Sequence, residues 1–167
     1  MRPSAITVTT LLLLAACSEP AGQRTPAVDP LVGAWQSEVA FRDGSLAATK
    51  GLQFMYAFNS GGTLTESSNY DGAPPVPPAY GSWRLTSPGR YELHYVFFTS
   101  QPPADWNAVT AGGGWLPSGR GELHETITMA ADGRSFTSTM SLSLFDASGR
   151  LVAGGGSATG HGTRIAF

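Results

Sequence analysis

From residue 33 onward, apolar and polar side chains alternate. Trp35, Val39 and Phe41 share one parity, and Leu52, Phe54, Tyr56 and Phe58 share another. The pattern returns in Tyr91, Leu93, Tyr95 and Phe97, in Leu123, Ile127 and Met129, and in Phe136, Met140, Leu142 and Leu144. A period of two belongs to a β-strand with one buried face. No stretch sustains a helical period, although Asp29 and Pro30 can cap and begin a single turn over residues 29–32. Asn59-Ser60-Gly61-Gly62, Ser87-Pro88-Gly89, Asp132-Gly133 and Ser148-Gly149 separate the runs, each with a residue able to take positive φ in a tight hairpin. The pattern predicts strands over 33–41, 51–58, 63–70, 80–86, 90–98, 119–130, 135–145 and 150–165.

An antiparallel meander with one apolar face removes its edges by closing on itself. The expected fold is therefore all-β, a single eight-stranded antiparallel up-and-down barrel. At that strand number the interior is either filled by side chains or holds one small ligand. The fifth and sixth runs both place apolar residues on odd numbers, so direct partners have an even sum. A sum near 218 sets His94 beside His124 and Tyr95 beside Leu123. Two connections are long, DGAPPVPPA at 71–79 and TSQPPADWNAVTAGGGWLPS at 99–118. Loops of that length are functional or disordered. The second carries Trp106 and Trp115, which either pack on the rim or cover a ligand.

Composition agrees with a turn-rich β protein: 21 Gly and 12 Pro accompany 41% apolar residues. Net charge is −2 and only 13% of residues are charged, with Lys50 the single lysine, so no basic stripe is present for a nucleic-acid partner. Ahead of the alternation, Arg2 precedes an apolar run from Ile6 to Ala16, the layout of a secretory signal peptide too short to span a bilayer. Leu14-Ala15-Ala16-Cys17 resembles the bacterial lipoprotein box. That resemblance implies cleavage before Cys17, lipid on its thiol, and attachment to a membrane. Ser18, in place of an Asp, points to the outer membrane facing the periplasm in a Gram-negative host. The expected organisation is a signal peptide over 1–16, a flexible tether over 17–28 and the barrel over 29–167. Cys17 is the only cysteine, so lipidation leaves no thiol for a disulfide or for catalysis.

Gly33-Ala34-Trp35 opens the first strand and Gly162-Thr163-Arg164 closes the last. This pair resembles the Gly-x-Trp and terminal Arg of lipocalins and related calycin barrels. The resemblance implies that the arginine lies over the indole at the closed end, making Gly33, Trp35 and Arg164 scaffolding. Gly81-Ser82-Trp83 repeats the first element. Residues 31–165 also resemble uncharacterised bacterial proteins with GxGTW-like and GTRI-like segments, from which no activity follows. Other lipocalin motifs are not evident between the two ends.

Glu125 falls on the apolar face with Leu123, Ile127 and Met129, and Glu66 is in line with Leu64. An inward carboxyl needs a partner or a raised pKa. With the hydroxyls of Tyr56, Tyr91 and Tyr95, these groups can orient the polar end of an apolar ligand or move a proton. They can also simply pair with one another. His94, His124, Glu92 and Glu122 share an outward face and could ligate zinc, but outward strand faces are polar by default. No metal and no cofactor are expected. His161 sits among glycines as a surface residue, and no GxSxG, HExxH or phosphate-loop pattern occurs. The reading is an envelope-anchored barrel binding a small hydrophobic or amphipathic molecule, with candidates Glu125, Glu66, Tyr56, Tyr91, Tyr95, Trp106 and Trp115. A barrel enzyme of isomerase or cyclase type, or a solid-core interaction protein, are the alternatives.

Overall fold

A computed structural model describes residues 28–70, 77–108, 111 and 114–166, with Trp106 described in its backbone alone. The signal peptide, Cys17 and the tether up to residue 27 lie outside the described residues, as do residues 71–76 of the first long connection. The strands are β1 (Gly33–Phe41), β2 (Gln53–Phe58), β3 (Thr63–Ser68), β4 (Ala79–Ser87), β5 (Arg90–Gln101), β6 (Leu116–Met129), β7 (Ser135–Asp146) and β8 (Leu151–Arg164). Each pairs antiparallel with the next, and β8 returns to β1, closing the barrel. The β5–β6 ladder pairs His94 with His124 and Tyr95 with Leu123.

Several boundaries differ instructively from the sequence pattern. Residues 51, 52, 69 and 70 are not in strands, although Leu52 is buried all the same. The β5–β6 hairpin runs further than its apolar face: Ser100 pairs with Pro117 and Gln101 with Leu116 beyond a bulge at Thr99. The long connection shrinks accordingly, and its described residues include a three-residue helical turn, Trp106–Ala108. Polar backbone continues the ladder past the rim because pairing needs no apolar face, only a free neighbouring edge. Residues 29–32 form a turn closed by Val32 N–H on Asp29 O at 3.0 Å, with Leu31 N–H on Asp29 Oδ1 at 2.8 Å.

One pole of the barrel is sealed. Leu31 is fully buried beneath Trp35, whose Nε1–H donates to Leu31 O at 2.8 Å. The Arg164 guanidinium lies 4.4 Å from the centre of the Trp35 ring and donates to Val32 O at 2.9 Å, to Pro30 O and to Gly133 O. A desolvated contact of this kind contributes about 1–2 kcal/mol. Gly33 has φ of +132°, and a Cβ there would stand 2.6 Å from Arg164 Nη1. Trp83 completes this pole, with its ring 5.7 Å from Tyr91 and 6.3 Å from Phe58.

β8 makes room for the core by having little side chain of its own. Gly162 faces inward, and the Phe136 ring from β7 fills its place: a Cβ there would meet Phe136 Cζ at 2.2 Å. Phe136 cannot retreat, since Trp35 is 5.2 Å away, centre to centre, and Tyr56 6.4 Å. Gly162→Ala should therefore destabilise the fold by about 1–3 kcal/mol, the usual cost of overpacking, read as a lower denaturant midpoint at unchanged m-value.

Candidate functional site

Above the sealed pole the interior has two further layers. The middle layer is polar: Ser37 from β1, Tyr56 from β2, Glu66 from β3, Tyr95 from β5, Glu125 from β6 and Ser138 from β7 are all buried. Period-two alternation places each on the inward face. Tyr56 and Tyr95 both donate to Glu125 Oε2, at 3.0 and 2.9 Å, and their hydroxyl oxygens are 3.4 Å apart. Ser138 stands near enough to favour the charged form of Glu125, yet its Oγ makes no well-formed hydrogen bond.

The two carboxyls have different surroundings. Burial pushes Glu125 up from the ordinary range, and the nearby Ser138 hydroxyl and the bonds from Tyr95 and Tyr56 oppose that shift. Glu66 has no such donors. Burial, and then the charge of Glu125, push its pKa to about 8, and its Oε1 is buried without a hydrogen-bond partner. No cation is buried among the described residues. Charging both carboxyls would oppose like charges in a medium of low polarity. Glu125, with its phenol donors, is the better placed to ionise, and Glu66 keeps its proton at neutral pH. The hydroxyls of Tyr56 and Tyr95 are held well above their ordinary pKa, chiefly by burial.

The top layer is a cup of about 220 Å³. Phe41, Leu52, Phe54, Phe97, Leu123, Leu142 and Leu144 form its apolar wall, and Glu66 and Ser68 line one side. Leu46 and Tyr70 reach in from the connections that follow β1 and β3. The β1–β2 connection is fastened along the rim. Ser157 donates through N–H and Oγ to Asp43, both at 2.7 Å, and Ser45 donates through N–H and Oγ to Gly154 O, at 3.0 and 2.7 Å. The Gly154–Gly156 run of β8 permits that approach, because a Cβ on Gly156 would stand 2.2 Å from Asp43 O.

The sequence candidates thus separate into three places. Among the candidates whose side chains are described, Glu66 alone lines the cup. Tyr56, Tyr95 and Glu125 form the hydrogen-bonded group in the middle layer. Tyr91 stands at the sealed pole, donating to Asp29 Oδ1 at 2.8 Å. Trp115 is half-buried and is not among the residues that line the cup, and the Trp106 side chain lies outside the described residues. Ser37 and Ser138 were missed, though the parity of Trp35 and Phe136 marks both as inward. Leu46 was also missed, a single large apolar residue in the polar stretch RDGSLAATK.

On the outer face, His94 and His124 stack in parallel at 4.3 Å. Their ligand atoms and that of Glu122 lie within 4.8 Å of one another, so these three could hold a metal ion. Glu122 already accepts from Arg120 Nε at 2.7 Å, which holds its carboxyl below the ordinary range. Glu92 is turned instead to Arg84, at 2.6 Å. His161 is exposed opposite Glu38 on β1.

Comparison with known proteins returns nothing: no family model, no curated protein and no solved structure matches the chain. The closed eight-stranded antiparallel architecture is consistent with a calycin-like fold.

Glu66 binds its proton more tightly in the folded chain than at its ordinary pKa of 4.5. Its contribution to stability is complete below about pH 4.5, falls as pH rises towards about 8, and is level above that. Asp43 and Asp146, held below 3.8 chiefly by hydrogen bonds from Ser157 and Ser148, titrate outside this window. Thermal unfolding between pH 5 and 9 should show stability declining by on the order of a few kcal/mol. Glu66→Gln should flatten part of that decline, the rest belonging to Glu125, which burial also raises.

Proposed function

We propose that the protein is a lipid-anchored envelope protein whose barrel binds one small, largely apolar molecule in the cup. The carrying observation is the cup itself: an apolar recess of about 220 Å³ with a single inward carboxyl, above a layer whose other polar groups are mostly engaged with one another. A cavity of about 150 Å³ in an apolar core accepts benzene, so the recess suits a compact ligand of roughly ten non-hydrogen atoms. A solid-core interaction module has no use for such a space.

Acid–base catalysis is the second reading. It draws on Glu125, Tyr56 and Tyr95, which converge within hydrogen-bond reach. The two phenols bond to Glu125 Oε2, its Oε1 is buried without a partner, and none of the three residues lines the cup, whereas a catalytic acid or base must reach the proton it transfers. Binding is therefore favoured over turnover.

Support for the envelope location is confined to the sequence: the charged start, the short apolar run and Leu14-Ala15-Ala16-Cys17. A lipidated Cys17 would hold the barrel on the outer membrane, facing the periplasm in a Gram-negative host. Two measurements test the reading. Toluene should show saturation-transfer NMR contacts with the protein, and Ser68→Phe, which fills the cup, should abolish them while leaving the thermal midpoint within a few degrees. Persistence of the signal in Ser68→Phe would place the ligand elsewhere. Cys17→Ser should move the protein from the membrane fraction to the soluble one, and no redistribution would refute the anchor.

A further inference from the structure

The cup contains an unmet electrostatic demand. Glu66 is 5% exposed, faces the recess and has a buried oxygen without a hydrogen-bond partner. Below it lies a second carboxyl, Glu125, which is 2% exposed. Among the described residues, no Lys, Arg or His lines the cup or joins the buried polar layer. Arg42 and Lys50 are on the β1–β2 connection, where both are exposed. The deep end of the recess is thus acidic and has no counter-ion of its own.

We propose that the natural ligand is a compact apolar amine, bound head first, with its ammonium on Glu66 and its hydrocarbon body against the Phe54 and Phe97 side of the cup. This rests on the reading of the cup as a ligand site. The alternatives fit the same groups less well. A carboxylate head would meet two carboxyls and no cation. A hydroxyl can bond to Glu66 but leaves the buried acids without a counter-ion. An ammonium supplies the missing positive charge and donates to the orphaned oxygen, while Ser68 on the same strand face offers an acceptor for a second N–H.

Binding then carries a proton balance. Free Glu66 is protonated at neutral pH, because its pKa lies near 8. The amine arrives as its ammonium ion, Glu66 gives its proton to solvent, and the complex holds the carboxylate–ammonium pair. One proton is released for each ligand bound. Glu125 from β6 acts on Glu66, Glu66 in turn raises Tyr56 from β2 and Tyr95 from β5, and Tyr70 also lines the cup. From β4 its partner is Ala79, which is neutral. Neither tyrosine of the middle layer ionises below its ordinary pKa, so the pH dependence belongs to the two acids. Amine affinity should rise by about tenfold per pH unit from pH 6 to near 8 and then level.

The test is calorimetric titration of the full chain with three probes of matched shape: 3-phenylpropylamine, 3-phenylpropan-1-ol and 3-phenylpropionate. Titrations are run at pH 6, 7 and 8 in two buffers of different ionisation enthalpy, with toluene as competitor to place each probe in the cup. The expected result at pH 8 is that the amine binds at least about tenfold more tightly than the alcohol and the carboxylate more weakly than either. Proton release on amine binding should approach one at pH 6. Glu66→Gln should bring the amine down to the level of the alcohol without weakening the alcohol. Alcohol or carboxylate binding as tight as the amine, or no proton release from the unaltered protein, would overturn the amine proposal while leaving the cup as a site. Failure of all three probes and of toluene would overturn the cup reading itself. The proton count needs no variant, so the test stands even if Glu66→Gln does not fold.

Discussion

Everything in this molecule depends on the pairing of its first strand with its last. Seven residue pairs, from Trp35 with Arg164 to Phe41 with Ala158, turn an open meander into a closed wall. Closure satisfies the backbone groups that an edge would expose. It also fixes how much interior eight strands must fill. The same pairing brings Arg164 to Trp35, so the contact that seals one pole is a by-product of the register that closes the sheet. Gly162, two residues before that arginine, yields its space to Phe136. The last strand is thereby both the closing element and the one that lets the aromatic core reach the axis.

With one pole sealed, the interior is a column that changes character along its length. Aromatic rings pack the base. Carboxyls, phenols and serines occupy the middle, and an apolar recess lies under the mouth. Burying two acids without a base is expensive, and the arrangement lowers that cost by unequal treatment. Glu125 receives two phenol hydrogen bonds. Glu66 receives none and keeps its proton. The acid left without partners is the one that borders the recess.

Much of this was legible in the chain. Strict alternation and the Gly-containing turns gave all eight strands to within a few residues, since a half-buried strand has little freedom to hide its period. The even sum that matched the faces of the fifth and sixth runs also matched His94 to His124. Alternation likewise marked Glu66 and Glu125 as inward. It could not show that Tyr91 belongs to the sealed pole while Tyr56 and Tyr95 belong to the middle, because parity gives the face and not the height along the axis. Height depends on the stagger of the whole barrel, which no local pattern encodes. The role of the 42–52 connection was hidden for a different reason. Its rim-side bonds run from Asp43 to Ser157 and from Ser45 to Gly154, more than a hundred residues apart in the chain.

The direction of the strands has one more consequence. Residues 29–32 and the end of β8 both lie at the sealed pole, where Arg164 bonds to the carbonyls of Pro30 and Val32. The mouth is at the opposite pole, ringed by the connections that follow β1, β3, β5 and β7. Whatever precedes residue 28 therefore joins the barrel at its base. An attachment made through that end would leave the mouth, at the opposite pole, clear of the point where the chain enters the barrel.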